Sequence, residues 1–550
     1  MTDAAPPARE AGAAPADPAP DRRNAFVTLD RGTATCAATV VGRVDRRWRL
    51  LAATAVPAPA VPATEALFDL LLDRVRTADP ALARAVGLGE PGTIPPVIEA
   101  VGSPLAHAVV LAATEATRQR LETDANAAGW RTTGASAERL DPLEITRLAT
   151  RPDVAALVVG TGDPPAADER DLVGELVALA SGIAERRPGL LIVLVGAAAA
   201  RASEFPLGTE IVAVPRPHGD AAVDLRALLA GRRADAAGAA DARQALVAST
   251  ATLAEVLDLR IELLEVGMSG ALRARAEPGP EPGAPARIAA VEAPSAVLGF
   301  IDDDAALDRV EAWATFGIDR ARLRDRLAEL RLAPWADLGG DGALLRAAAL
   351  RASLERLMTS TAELAGPAPD LVVLAGGAWS SIPAPAAMLV LADAIRRPGV
   401  VQVALDPARL LAPLGTIEDP AERARVVGEL VPDALVPLGT LALARGVRAG
   451  RHAGQLRLTV GDAPVELQLA SGRLALVDLP PGQAGAVELG FRAPVDLGVR
   501  GKRFALRATG GLAGLVVDLR DVPLRLPERA DARRDVLGSW EAALWPDRDT

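Results

Sequence analysis

Apolar positions along this chain follow two periods, and the switches between them lay out the elements. Residues 25–30 (AFVTLD) form an apolar run that reads as a strand. After a short turn at 31–33, runs at 34–41 and 48–55 predict two more, a three-strand meander with a tight glycine turn after the first. Residues 64–77 (TEALFDLLLDRVRT) space their apolar side chains as a helix does. The run 96–101 reads as a buried strand ending in a turn. Strand-like runs recur at 155–159, 190–195 and 210–214 with helical stretches between them. Such alternation predicts a largely parallel sheet with helices on its faces.

The pattern restarts after residue 250. A long apolar strand is expected at 257–266, Gly267 punctuates it, and a second short strand follows at 271–276. The stretch EPGPEPGAP (277–285) reads as a hairpin loop. Helical patterns fill 303–332 and 341–365. A strand at 370–374 leads into Ala375-Gly376-Gly377, and a helix at 383–396 and a strand at 400–405 follow. From 455 to 521 apolar and polar residues alternate between Gly and Pro turns, a β-rich module closed by a helix containing Trp540 and Trp545. The expected division is a disordered Ala/Pro-rich tail at 1–24, a first α/β half at 25–250, a second at 251–454 and the β-rich module at 455–550.

A chain of 550 residues suggests about two to four domains. The net charge of −11, with no basic run to offset it, argues against a nucleic-acid or anionic-membrane surface. A single cysteine, Cys36, rules out an internal disulfide framework, and three scattered histidines (His107, His218, His452) offer no metal-ligand spacing. There is no tyrosine, Lys502 is the only lysine, and no GxxxxGK[ST] occurs, which excludes P-loop chemistry. What remains is chemistry by carboxylates, hydroxyls, arginines and backbone N–H groups, the set that magnesium-phosphate sites use. No run reaches the ~18–20 apolar residues of a membrane span, and the first 24 residues lack an apolar signal core, so a cytoplasmic protein is expected.

Three glycine-centred turns each follow an apolar strand: Asp30-Arg31-Gly32-Thr33-Ala34-Thr35, Glu265-Val266-Gly267-Met268-Ser269-Gly270 and Leu374-Ala375-Gly376-Gly377-Ala378. A carboxylate at a strand end can hold magnesium-bound water, a residue without Cβ lets backbone N–H groups approach phosphate, and flanking hydroxyls add hydrogen bonds. Their order resembles the layout of the acetate kinase, sugar kinase, Hsp70 and actin superfamily. The resemblance implies two ribonuclease H-like α/β halves around a nucleotide cleft. ATP and magnesium would sit between the halves, with Asp30 and Glu265 organising the metal and water. Gly32, Thr33, Thr35, Gly267 and Ser269 would line the phosphates, and Gly376 and Gly377 the adenosine.

Residues 367–417 are similar to the glutamate mutase accessory family (GlmL/MutL, unrelated to the mismatch-repair protein). The matching features are a strand into Gly376-Gly377, a proline-flanked helix, Leu405-Asp406 and Ala412-Pro413-Leu414-Gly415. Val436-Pro437-Leu438-Gly439-Thr440, residues 510–518 and Pro523-Leu524-Arg525-Leu526-Pro527 resemble its later signatures, and 153–162 with 190–196 its paired strand–glycine segments. The resemblance implies a protein partner, an adenosylcobalamin-dependent mutase that this chain assists in assembly or reactivation. Departures weigh on activity. Cys36 follows Thr35 where the family has lysine, Glu265 replaces a shorter acid, and Met268 with Ser269-Gly270 lacks the paired threonines. Three readings stand: a nucleotide-binding accessory protein with weak ATPase activity, a non-catalytic scaffold of the same fold, and a small-molecule kinase with Asp406 as base. Blander roles account for other residues. Asp302-Asp303-Asp304 suits the start of the following helix, His218 a loop, Trp379 packing, and Cys36 a small buried hydrophobe.

Overall fold

The computed structural model describes residues 24–545 apart from 59–63, 91–94, 103–105, 140, 162–166, 216–224, 238–240, 269, 282, 295–303, 334, 336–339, 362–363, 365, 448–451 and 462. Residues 1–23 of the expected tail, His218, Asp302 and Asp303 therefore lie outside the described residues.

The meander forms as the apolar runs dictate: β1 (Ala25–Arg31), β2 (Thr35–Val44) and β3 (Arg47–Pro57) pair antiparallel, and β4 (Val97–Val101) adds parallel to β1. Asp45 and Arg46, at φ 50° and 68°, make the two-residue left-handed turn between β2 and β3 that matches strand twist. Edge strand β3 does not expose all its N–H groups: Glu429 accepts from Trp48 N–H at 2.7 Å and Asp433 from Leu50 N–H at 3.1 Å.

The next five strands leave this sheet. β5 (His107–Ala112), β6 (Arg131–Ser136), β7 (Val154–Gly160), β8 (Leu191–Val195) and β9 (Ile211–Val214) pair in parallel, in the order β6-β5-β7-β8-β9. Helices such as Glu115–Ala127 and Ala167–Arg186 connect them. Burial on both faces explains the unbroken apolar text of β5 and β8. The stretch 25–250 thus holds two separate sheets, and the chain returns to the first at Asp241, which bridges Val101.

Helix Ala242–Leu257 then crosses to the second half. Its Ala-rich text stays helical to Leu257, where Asp258 at φ 53° ends it, so the strand expected from 257 begins only at 261. β10 (Ile261–Val266), β11 (Gly270–Glu277) and β12 (Arg287–Pro294) repeat the antiparallel meander, joined by the expected hairpin loop, and β13 (Leu371–Ala375) adds parallel to β10. β14 (Gly399–Leu405) and β15 (Val436–Leu443) extend the sheet. The order β12-β11-β10-β13 reproduces β3-β2-β1-β4 strand for strand. The helical text at 303–332 makes two helices, Asp304–Trp313 and Arg320–Leu332, since Asp319 caps a new start.

The β-rich text divides between two sheets. β16 (Gly454–Val460), β17 (Ala463–Leu469), β19 (Ala484–Asp496) and β20 (Arg500–Thr509) form one of their own, while β18 (Leu474–Val477) and β21 (Leu515–Asp518) complete the eight-stranded sheet of the second half. The closing helix Ala530–Leu544 docks Leu537, Trp540 and Leu544 against that sheet's other face. Two buried arginines fasten it: Arg351 bonds Asp393 at 2.6 Å and Glu541 at 2.8 Å, and Arg520 bonds Asp393 at 2.6 Å.

One core joins the halves. Phe26, Val41 and Ala100 of the first sheet pack with Leu263, Leu371 and Val373 of the second through helices Ala242–Leu257, Leu411–Gly415 and Pro420–Ala434. Gly415 permits the closest of these approaches, since a Cβ there would fall 1.8 Å from the Ala245 carbonyl oxygen. Among the described residues no helix is long and apolar enough to cross a membrane.

Candidate nucleotide cleft between the halves

Three strand ends meet where the halves face each other. β1 ends beyond Asp30, and the turn into β2 is closed by the Gly32 N–H donating to the Thr35 carbonyl at 2.9 Å. β10 ends beyond Glu265, and the turn into β11 is closed identically, Gly267 N–H to Gly270 carbonyl at 2.9 Å. β13 runs out at Ala375 into Gly376, whose φ of 92° favours glycine, and a Cβ there would lie 2.6 Å from the Val266 carbonyl oxygen. The third turn is thus backed onto the second. The Thr35 hydroxyl would lie 3.4 Å from a Cβ on Gly377, which brings the first half's hairpin up to the third turn.

These turns line one cavity of about 440 Å³, in the size range of small-molecule sites. Asp30, Gly32, Thr33, Thr35, Glu265, Gly267, Gly376 and Gly377 all lie on its wall, and Ser269 is outside the described residues. The lining also includes Arg243, Arg346, Asp406 and Arg409, and nothing beyond Ala412, so the β-rich module stands apart from it.

Charge in the cavity is arranged around Arg409. Its Nε donates to Asp30 Oδ2 at 2.6 Å, Nη1 donates to the Thr35 hydroxyl, and both Nη1 and Nη2 reach the Thr35 carbonyl at 3.3 Å. Arg409 follows β14 in the left-handed region, φ 56°. Asp406 builds that turn: its carboxylate accepts the N–H groups of Leu410 and Leu411 at 3.0 and 2.9 Å, starting helix Leu411–Gly415. Burial pushes Asp406 up to about 6 despite those bonds. Glu265 is pushed up to about 7, chiefly by burial, with the Arg243 charge pulling the other way. Its Oε2 is buried without a hydrogen-bond partner among the described residues.

A nucleotide fits this cavity by size, by its glycine-faced wall and by its arginines. Magnesium does not fit the donor set as it stands. The Asp30 carboxylate expected to hold the metal is held by a guanidinium, and Glu265, raised to about 7, is largely protonated below neutrality. No group of three His, Cys, Asp or Glu that could hold a metal ion occurs among the described residues. Both Asp406 oxygens accept a backbone N–H group, so the acid expected as the base in the kinase reading also shapes the turn that carries Arg409.

Sequence reasoning places the acids and glycines here and misses Arg243, Arg346 and Arg409. The one local signal for Arg409 is a charged residue set directly before the apolar run LLAPLG. Trp379, beside the third turn, is fully buried and donates its indole N–H to the Leu264 carbonyl at 3.0 Å, a packing role. Cys36 is buried, and burial raises its thiol.

No family model matches the sequence, and no curated protein is similar to it in sequence. Among solved structures the chain is similar to component A of the (R)-2-hydroxyglutaryl-CoA dehydratase of Acidaminococcus fermentans, at 8% identity over 73% of this chain and 99% of that one, TM-score 0.26. It is similar to a carbohydrate kinase from Novosphingobium aromaticivorans, at 15% identity over 72% and 91%, TM-score 0.24. A Ppx/GppA family member from Aquifex aeolicus matches at 10% identity over 74% and 86%, TM-score 0.19. At such TM-scores these overlays carry no argument. The repeated strand order and the paired hairpins carry the fold: two actin-like α/β halves around a cleft, with a β-rich C-terminal module.

Proposed function

We propose that this chain is a nucleotide-binding accessory protein of actin-like fold, whose cleft state is read by a protein partner. The observation that carries the reading is the convergence of three glycine turns, two from hairpins of equivalent halves, on one cavity of about 440 Å³. Gly32, Thr33, Thr35 and Gly267 face the phosphates in this reading, and Gly376 and Gly377 the nucleoside. Glycine where backbone must approach a ligand, and hydroxyls beside it, suit that task. Rapid hydrolysis is not part of it, because Asp30 is engaged by Arg409. Likeness of residues 367–417 to the glutamate mutase accessory family extends the proposal to a partner class, an adenosylcobalamin-dependent mutase.

The test is calorimetric titration of ATP and ADP into the full chain. Saturable heat at micromolar to millimolar ligand supports the reading. The absence of binding by either nucleotide leaves the second reading, a scaffold that kept the fold. The buried Arg409–Asp30 pair favours that alternative, since it holds the halves together without a ligand.

A further inference from the structure

The disagreement between the cavity and magnesium has a constructive side, and it rests on the nucleotide-binding reading. We infer that Arg409 does the work of the metal: with its Nε still on Asp30, it turns its Nη groups from Thr35 to the phosphates and is the cation that receives them, and nucleotide binding is therefore independent of magnesium.

The geometry supports each step. A guanidinium is a permanent cation with five N–H donors in a planar fork, and phosphate oxygens match that fork in pairs. Arg409 sits on the cavity wall beside the first glycine turn, where a Cβ on Gly32 would lie 2.7 Å from its Nη2. That glycine makes room for an arginine as well as for a ligand. The side chain is not adventitiously placed. Asp406 clamps the turn that presents it, and its backbone occupies the left-handed region. Arg243, 3.7 Å from Glu292, and Arg346 line the same cavity.

Against these three arginines stand Asp30, Glu265 and Asp406. Asp30 is the carboxylate that Arg409 holds, so an incoming phosphate shares one guanidinium with Asp30 and meets its negative charge. A divalent ion arriving with the nucleotide would meet a fixed positive charge beside the carboxylate it needs.

The test is calorimetry of ATP binding to the full chain in EDTA and in excess magnesium, with wild type, Asp30→Asn and Arg409→Gln. Wild-type affinity should agree between the two buffers within about twofold. Asp30→Asn, which removes the negative charge beside the phosphates, should bind about tenfold tighter, and Arg409→Gln about tenfold weaker, the scale of one charge-assisted hydrogen bond. If Arg409→Gln does not fold, Arg409→Lys replaces it, keeping the charge without the fork, and should fall between wild type and no binding. A tenfold or larger requirement for magnesium, or weaker binding by Asp30→Asn, overturns the inference and leaves the nucleotide reading intact. No binding of ATP or ADP by wild type in either buffer overturns both.

Discussion

Arg409 and Asp30 lie 379 positions apart in the chain and 2.6 Å apart in the cleft, both buried. One belongs to the second half and the other to the first, so the pair ties the halves across their shared opening. Removing one partner leaves a buried charge alone, which costs about 3–5 kcal/mol when no water replaces it. Asp30→Asn and Arg409→Gln should therefore each destabilise the chain, and the double variant by less than their sum. Urea unfolding of the four proteins, treated as a double-mutant cycle, measures that coupling.

Glu265 makes stability depend on pH in the direction opposite to an ordinary paired carboxylate. It binds its proton more tightly folded, at about 7, than at its ordinary value of 4.5. Between those values the folded state carries more protons, so raising the pH through that window removes stability, by up to about 3 kcal/mol. Asp406, raised to about 6, adds in the same sense. Glu265→Gln should match wild type near pH 5 and exceed it at pH 8. Equal stabilities at pH 8 would show that the carboxylate is solvated.

His107 acts the other way. It is buried in β5, its Nε2 lies 3.0 Å from the Thr133 hydroxyl, and burial lowers it to about 4. Folded, it binds a proton less readily than unfolded, so stability present above 6.5 is lost as the pH falls through 4. Hydrogen exchange at pH 4.5 should show the five-stranded sheet opening before the eight-stranded one, and His107→Gln should reduce that difference.

Trp379→Phe separates packing from ligand stacking. It removes the 3.0 Å bond from the indole N–H to the Leu264 carbonyl, worth about 1 kcal/mol, while keeping an aromatic ring in the core. The free energy of unfolding should fall by about that amount with nucleotide affinity unchanged. A loss of affinity without a loss of stability would place the ring against the ligand.

Much of the site is legible in the text because its parts are local. Asp30, Gly32, Glu265 and Gly267 sit at strand ends where a hairpin must turn, and Gly376 needs a left-handed φ that few other residues adopt. Arg409 is not legible, because nothing near Ala408 or Leu410 shows that the end of β14 will lie over the end of β1. Sheet membership is equally hidden. The alternation of strands and helices after residue 100 reads correctly as parallel, yet it does not say that β5 breaks away from β4. Likewise β18 (LALV) and β21 (LVVD) are short apolar runs where β16 and β19 alternate, which marks them as more buried but does not name the partner, and long-range pairing with β15 sends β21, and β18 beside it, to a different sheet. Residue patterns report local geometry; they are silent on which of several similar edges a strand will find.

The five-stranded unit departs from the first half after Val101 and rejoins it at Asp241, two residues that face each other as a parallel bridge. Its two roots are therefore side by side. Its far side is fastened elsewhere: Ala128 bridges Glu292 of β12, and helix Glu115–Ala127 packs against β12 and against helix Gly340–Ser360 of the second half. Mechanically this is a strap, anchored at both ends on one jaw and buckled at its middle to the other. The jaws cannot swing wide while the buckle holds, so a wide opening of the cleft requires the strap to come loose at Ala128.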